Sequence, residues 1–147
     1  MVLRLRGAGV LVAHASMVLE APPEEVWATL VGPESLAGFI PAAETSVDWR
    51  EGGSLAWRTT LEGRTYDVEG RVIRVEPERR LAFEYANPLI KTRHRVIIEL
   101  SDDGAGTRVS VSEDGHRKNI DLAHGEGSWR LVLANLKAIV EGRTDRA

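Results

Sequence analysis

His94 is the residue whose type and position most clearly allow chemistry. It is in phase with three apolar residues of an alternating segment, and it should share their inward direction: Val96, Ile98 and Leu100. An imidazole in that position could bind an oxygen atom of a ligand or act as a general base. The other interpretation is a core histidine whose ring nitrogens are satisfied within the protein. His94 is therefore a candidate for ligand binding and a weak candidate for catalysis.

Glu113 is the second weak catalytic candidate. It has the same parity as Val109 and Val111, so its carboxylate should point inward near the end of a strand. A buried carboxylate requires a partner, and in that setting it could serve as an acid or a base. At a strand terminus it could instead reach water. The sequence leaves both alternatives open.

Aromatic side chains at inward positions indicate a pocket. Aromatic residues make up only 5% of the chain, and most of them converge on one face of the predicted elements. They can line an apolar site whose few polar groups orient a flat or lipid-like ligand. Alternatively, they simply fill the core. The inward set, besides His94, comprises Trp57, Tyr66, Phe83, Tyr85 and Trp129.

Metal and cofactor sites are not indicated by the sequence. The chain has no cysteine, and its four histidines are scattered, without the i, i+4 spacing of a helical metal site. His116 and His124 flank a presumed loop and could approach each other. No dinucleotide fingerprint, phosphate-binding loop or nucleophile elbow occurs. We predict no metal and no cofactor, and we lean toward a protein without catalytic activity.

Length and composition fit one globular domain over residues 1–147, with frayed ends at 1–9 and 143–147. The formal net charge of -3 gives no reason to expect a nucleic acid partner. No apolar stretch approaches the roughly 20 residues of a membrane span. Because cysteine is absent, a reducing cytoplasm is the expected location.

The order of elements predicts the fold class. A β-favourable run at 10–19 ends at Ala21-Pro22-Pro23, where a short helix should begin, and a second short helix should open at Pro33. Alternating segments joined by turns then predict an antiparallel meander, with a bulge or bend near Gly70. A final amphipathic helix should become regular near Ser128 and end at Gly142.

Strands and helices do not alternate along the chain, which argues against a doubly wound parallel sheet. A curved sheet with one apolar face must cover that face, and only the last helix is long enough to do so. We therefore predict an α+β helix-grip fold, in which about six to seven antiparallel strands wrap around a long C-terminal helix.

Several short motifs, in this order, resemble the SRPBCC (START-like, birch-pollen-allergen-like) superfamily. Within it the chain is most similar to the group named for the activator of heat-shock-protein-90 ATPase. The resemblance runs from about His14 to about Gly142 and implies the helix-grip fold with a cavity between sheet and helix. The segments that carry it are Ala21–Trp27, Gly52-Gly53, Gly70–Val72 through Pro77 to Leu81–Phe83, Gly106-Thr107, and Gly127–Trp129 followed by Leu133 and Leu136.

One departure from the group concerns the mouth of the implied cavity. The group usually carries a tryptophan after the second short helix, where this chain has Gly38-Phe39-Ile40. Phe39 and Leu133 therefore join the predicted ligand-binding residues. Since the position of Phe39 often borders the cavity mouth in this group, the size and shape of the ligand are open.

The resemblance leaves three functions open. The leading hypothesis is a binding protein for a small hydrophobic or aromatic molecule. The second is a co-chaperone-like module that acts on a heat-shock ATPase. The third is a polyketide cyclase or dehydratase-like enzyme, with His94 or Glu113 as acid or base and Tyr66 or Tyr85 orienting a carbonyl. A homodimer through outward-facing Val75 and Ile97 is a further expectation.

Overall fold

The fold is a seven-stranded antiparallel sheet and a long C-terminal helix, as predicted from the element order. The computed structural model describes residues 11–32, 44–61, 63–88 and 91–146. The strands lie in the order β1-β7-β6-β5-β4-β3-β2. Their bounds are β1 Leu11–Leu19, β2 Glu44–Val47, β3 Ser54–Leu61, β4 Arg64–Glu76, β5 Arg80–Asn87, β6 Thr92–Asp103 and β7 Gly106–His116.

Among the described residues, two helices accompany the sheet, α1 at Pro23–Leu30 and α2 at Asn119–Arg146. The second short helix expected at Pro33 lies outside the described residues. So do the termini at 1–9 that were expected to fray. In the part of the chain that the structure describes, no helix has the length and apolar character needed to cross a membrane.

The transition from β1 to α1 follows the local sequence. Pro22 takes extended angles, with φ -73 and ψ 157, and Pro23 begins the helix. Proline suits this position because its fixed φ is already helical and its missing N–H would have no partner there. Glu24 and Glu25 occupy the first turn, where carboxylates interact favourably with the helix dipole.

The hydrophobic core lies between the inner face of the sheet and the two helices. α1 contributes Val26 and Leu30, and the C-terminal half of α2 contributes Leu136 and Val140. The strands supply alternate residues, among which Val72, Val96 and Val109 are fully buried. Sheet and helices thus share one apolar core, which holds the inner face in a fixed position relative to α2.

A bulge in β4 changes which residues face the core. The pairing of β4 with β5 shifts register between Val72 and Arg74, close to the bend predicted near Gly70. The extra residue reverses the alternation, so Val75 packs against the core instead of pointing to solvent. The prediction that Val75 contributes to an outward dimer patch is therefore wrong. Ile97, the other member of that patch, is half-buried.

Helix α2 is longer than predicted at both ends. It is regular from Asn119 rather than only from near Ser128, and it continues through Gly142, the predicted end, to Arg146. A glycine inside a helix costs only about 1 kcal/mol relative to alanine. The buried side chain of Val140 and the pairing of Lys137 with Glu141, at 2.5 Å, stabilise the turns just before Gly142.

Side chains of α2 cover the free edge of β1. Glu126 Oε2 accepts a hydrogen bond from the backbone N–H of His14 at 3.0 Å, and Glu141 Oε2 accepts one from that of Glu20 at 2.7 Å. The Lys137 ammonium donates to the Val18 carbonyl at 3.3 Å. The bond from Lys137, followed by that from Glu20, lowers the pKa of the Glu141 carboxyl.

The outer face of the sheet carries cross-strand ion pairs. Arg80 pairs with Glu99 at 2.7 Å, and Arg95 pairs with Glu84 at 2.7 Å. These side chains are substantially exposed, so each pair contributes little to stability. On this face Arg80 and Arg95 are thus each matched by a neighbouring carboxylate.

Candidate functional site

A buried carboxylate occupies the centre of the candidate site. Glu113, only 4% exposed, lies on β7 opposite Ala13 of β1 and Val96 of β6. Its Oε1 accepts a hydrogen bond from Trp129 Nε1 on α2, and its Oε2 accepts one from the Tyr85 hydroxyl on β5. The inward orientation predicted from parity is confirmed, and the carboxylate joins the sheet to the helix.

His94 lies beside this carboxylate with both ring nitrogens engaged. Its Nδ1 is 2.7 Å from the Asp114 carbonyl oxygen, and its Nε2 is 2.6 Å from Thr92 Oγ1. A carbonyl oxygen only accepts, so Nδ1 carries a hydrogen, and in the neutral ring the threonine hydroxyl donates to Nε2. His94 therefore points inward as predicted, and its role in binding or catalysis stays a prediction.

A bulge near the end of β7 brings a second histidine to the inner face. Ala13 of β1 is paired with Glu113, whereas Leu11 is paired with His116, so β7 contains one extra residue. Gly115 adopts φ +87 at this point, a value that glycine takes without strain. Because the extra residue shifts the alternation, His116 faces the same side as Glu113. Sequence reasoning by strict alternation missed this residue.

His116 is buried and its Nε2 has no hydrogen-bond partner among the described residues. The side chain is 7% exposed, and Nε2 lies 3.7 Å from Glu113 Oε2, which is too far for a direct hydrogen bond. Helix α2 passes directly over this ring at Gly125. A Cβ at position 125 would lie 2.9 Å from His116 Cε1 and 3.1 Å from Nε2. The position of His116 therefore depends on a glycine in the helix.

Two glycines of α2 provide a matched test of this contact. Gly127→Ala meets no atom within 4 Å, and it should stabilise the protein by about 0.5–1 kcal/mol through helix propensity. Gly125→Ala should not show this stabilisation, because the new Cβ displaces the His116 ring. Urea denaturation of both variants measures the difference. Equal stabilisation in the two variants would show that His116 does not need the space at Gly125.

Four rings form a continuous row across the inner face, here called the ring row: Trp57, Tyr85, His94 and His116. Successive ring centroids are 5.2, 5.0 and 5.1 Å apart. Trp57 lies on β3 and Tyr85 on β5, and Gly70 is opposite Tyr85 on the intervening strand β4. Both of these aromatic residues pack against the core while remaining half-buried. The ring row thus leads from a partly exposed end to the buried carboxylate.

The other predicted ligand-binding residues are placed differently. Phe83 and Leu133 are 3% and 2% exposed and belong to the packed core, where Phe83 meets Trp49 edge-on. Tyr66 is half-buried on β4 opposite Thr59. Phe39 lies outside the described residues. The structure therefore brings together Trp57, Tyr85, His94, Glu113 and Trp129, and adds His116 to them.

Burial raises the pKa of the Tyr85 hydroxyl far above its ordinary value, and the charge and hydrogen bond of Glu113 raise it further. An unfolded chain releases this proton near pH 10. The folded protein keeps the proton to higher pH, so the stabilisation is fully present below pH 10 and is lost as the pH rises above that value.

The difference between the pKa of Tyr85 in the folded protein and in the unfolded chain predicts that stability depends on pH through this residue. Between pH 8 and about pH 10.5, the unfolding free energy of the wild type should fall more than that of Tyr85→Phe. Urea denaturation at the two pH values measures both slopes, and Tyr66→Phe is the control. The same slope for wild type and Tyr85→Phe would contradict the assigned environment of Tyr85.

The cluster also has the residue types of a metal site. His94, Glu113 and His116 each offer a ligand atom within 4.8 Å of the others. However, His94 Nδ1 faces a carbonyl oxygen and Glu113 Oε2 already accepts from Tyr85. A metal ligand must present a lone pair, and in this arrangement only His116 Nε2 has no competing partner. The geometry suits hydrogen bonding to a polar group better than metal ligation.

Two open grooves occur elsewhere on the described surface. One, of about 490 Å³, lies along β1 and α2 and includes His14 and Arg130. The other, of about 260 Å³, lies along β2–β4 and includes Arg58 and Asp67. Both are open to solvent and lined by polar as well as apolar groups. Neither has the character of the apolar pocket implied by the resemblance, whose expected border includes Phe39.

Comparison with known proteins agrees with the fold. The family model described as "Activator of Hsp90 ATPase homolog 1-like protein" matches residues 20–141. The solution structure of ChR145 from Cytophaga hutchinsonii is 26% identical, with a TM-score of 0.76, over 92% of this chain and 97% of that one. No match was found among curated proteins.

Two further solved structures share the fold at lower identity. CalU16 from Micromonospora echinospora is 22% identical, with a TM-score of 0.68, over 93% of this chain and 88% of that one. Ara h 8.0201 is 15% identical, with a TM-score of 0.75, over 91% of this chain and 99% of that one. At these identities the likeness concerns the fold alone.

Proposed function

Since the chain belongs to the family of proteins like the activator of Hsp90 ATPase homolog 1, which has a ligand-binding fold, we propose that it binds a small hydrophobic or aromatic molecule. The binding site in this proposal lies between the inner face of the sheet and α2. The observation that carries the proposal is the half-buried aromatic surface of Trp57 and Tyr85, which pack against the core and against each other.

The arrangement of the ring row supports an aromatic or flat ligand. Trp57 and Tyr85 are tilted by 57° with centroids 5.2 Å apart, whereas Tyr85 and His94 are stacked with an angle of 24°. Flat ring faces at these spacings offer a surface on which another ring can stack. The polar groups next to them are few and buried, which is the usual composition of a small-molecule site.

Native mass spectrometry of the purified protein, followed by denaturing extraction, tests the proposal. We expect a bound apolar molecule, or in its absence an increase in melting temperature with members of an apolar and aromatic ligand panel. Trp57→Leu should weaken ligand binding. Trp49 lies outside the ring row, and Trp49→Leu should therefore leave the affinity for the ligand unchanged. A protein without bound molecule and without any thermal shift across the panel would rule the proposal out.

The family name favours a second candidate function, a co-chaperone-like module that acts on a heat-shock ATPase. This candidate needs a protein surface rather than a cavity. It predicts that micromolar protein binds the ATPase and stimulates ATP hydrolysis. The substitution Trp57→Leu should not alter that stimulation. Failure to bind the ATPase would exclude the candidate while leaving the small-molecule proposal intact.

A cyclase or dehydratase-like activity is the third candidate, and the buried cluster favours it. Glu113, His94 and Tyr85 are adjacent titratable groups, as acid–base catalysis requires. His94→Gln should then abolish turnover of a polyketide-type substrate without preventing its binding. Full activity in that variant would remove His94 from the mechanism. A cytoplasmic location belongs to the same set of proposals, and cell fractionation tests it.

A further inference from the structure

We propose that Glu113 and His116 form a recognition pair for a hydroxyl group on the bound molecule, so that the ligand is a phenol-like compound rather than a plain hydrocarbon or an acid. This inference rests on the proposed ligand-binding function. It starts from the unpartnered His116 Nε2, which lies 3.7 Å from Glu113 Oε2. Buried polar atoms in native proteins nearly always have a hydrogen-bond partner, so His116 Nε2 is suited to bind a polar group that also reaches Glu113 Oε2.

The surroundings of His116 hold its ring in one place. The bulge at Gly115 turns the residue inward, and a Cβ at Gly115 would lie 2.8 Å from His94 Nδ1. Above the ring, α2 has a glycine at position 125, and the ring lies so close that an added Cβ would be 2.9 Å from His116 Cε1. On its flank, the His94 ring is 5.1 Å away. The nitrogen is therefore fixed by three neighbouring elements, as a recognition group must be.

The distance between the two atoms fits one bridging oxygen. Two polar groups separated by more than 3.5 Å are commonly bridged by a single atom that bonds to both. An oxygen at ordinary hydrogen-bond distances from both partners spans 3.7 Å easily. In the free protein a water molecule can bridge the two atoms. A ligand hydroxyl can replace that water at the end of the ring row.

The chemistry of the pair selects a hydroxyl. A carboxylate accepts only, while a hydroxyl donates one hydrogen and accepts others. One hydroxyl can therefore donate to Glu113 Oε2 and accept from His116 Nε2. A ligand carbonyl would satisfy His116 alone, and a ligand carboxylate would place a second acid beside a buried one. A hydrocarbon would leave His116 Nε2 buried without a partner, which costs binding free energy.

Three probes with the same ring system test the proposal: 2-naphthol, 2-methylnaphthalene and 2-naphthoate. Titration calorimetry at pH 7 should give a dissociation constant for 2-naphthol about tenfold or more below that of 2-methylnaphthalene, with 2-naphthoate the weakest. Equal affinity for 2-naphthol and 2-methylnaphthalene, or tightest binding of 2-naphthoate, would overturn the recognition pair but keep the ligand-binding function. If none of the three bound, the recognition pair would fall, whereas the ligand-binding function would still be decided by the native mass spectrometry and the wider panel.

Variants then assign the selectivity to His116. In His116→Leu the preference for 2-naphthol should fall to about threefold or less, with 2-methylnaphthalene still bound. His124→Leu, which removes an exposed histidine of α2, should keep the full preference. Gly125→Ala keeps every polar group but displaces the ring, and it should also reduce the preference, which covers the case in which His116→Leu does not fold. Unchanged selectivity in Gly125→Ala and His116→Leu would refute the assignment.

Discussion

Gly115→Ala is expected to destabilise the protein by about 3 kcal/mol. A non-glycine residue at positive φ costs about 1–2 kcal/mol, and Gly115 has φ +87. In addition, the new Cβ would overlap the Arg93 carbonyl oxygen and approach His94 Nδ1, and such overpacking costs about 1–3 kcal/mol. Chemical denaturation measures the change directly.

A second positive-φ glycine gives the matched control for this substitution. Gly104 has φ +64 in the turn between β6 and β7, and a Cβ there would meet nothing within 4 Å. Gly104→Ala should therefore cost only about 1 kcal/mol, the backbone contribution alone. If Gly115→Ala cost no more than Gly104→Ala, the bulge would not have the tight packing described here.

Glu113→Leu should lower the unfolding free energy by about 3 kcal/mol, although it makes the core more apolar. The Trp129 indole N–H and the Tyr85 hydroxyl both donate to Glu113. Without the carboxylate they would stay buried and unpaired, at a cost of about 1–3 kcal/mol each. Part of this cost is offset by the transfer of an apolar side chain from water.

Glu113→Gln separates the hydrogen bonds from the charge. Its amide oxygen can still accept from Trp129 Nε1, and the Tyr85 hydroxyl can accept from the amide NH₂. We expect a loss of about 1 kcal/mol, well below that of the leucine variant. Comparable losses in the two variants, measured by urea denaturation, would show that the two hydrogen bonds contribute little and that charge dominates.

The sequence was sufficient to predict the fold and five of the six residues that the candidate site brings together, all except His116. Strict alternation along β6 and β7 predicts correctly that His94 and Glu113 face inward, because no bulge precedes either residue on its strand. The same rule fails after Asp114 and after Val72, where an extra residue reverses the alternation. Val75 was therefore assigned to the wrong face, and His116, which was placed only beside a presumed loop, was not recognised as an inward residue. Asp114-Gly115 was the signal for the first bulge, since glycine takes positive φ without strain.

The hydrogen bonds of Glu113 could not be predicted from local patterns. Trp129 and Tyr85 lie 16 and 28 residues away in the chain, and their approach depends on how α2 crosses the sheet. The full extent of α2 was also missed. Gly125, Gly127 and Gly142 lower its intrinsic propensity, yet the helix extends through all of them. Packing against the sheet, which local sequence does not encode, outweighs that loss.

Because α2 covers β1, the two edges of the sheet differ in how accessible their backbone hydrogen-bonding groups are. At β1, backbone donors are already bound by Glu126 and Glu141, so an incoming chain would have to displace the helix. At β2, the opposite end of the described strand order, pairing is only to β3. Growth by strand addition would therefore be one-sided. Two copies joined through their β2 strands would form a closed two-fold dimer. The β1 edge of each copy, covered by α2, would then be the outer edge and would prevent further polymerisation.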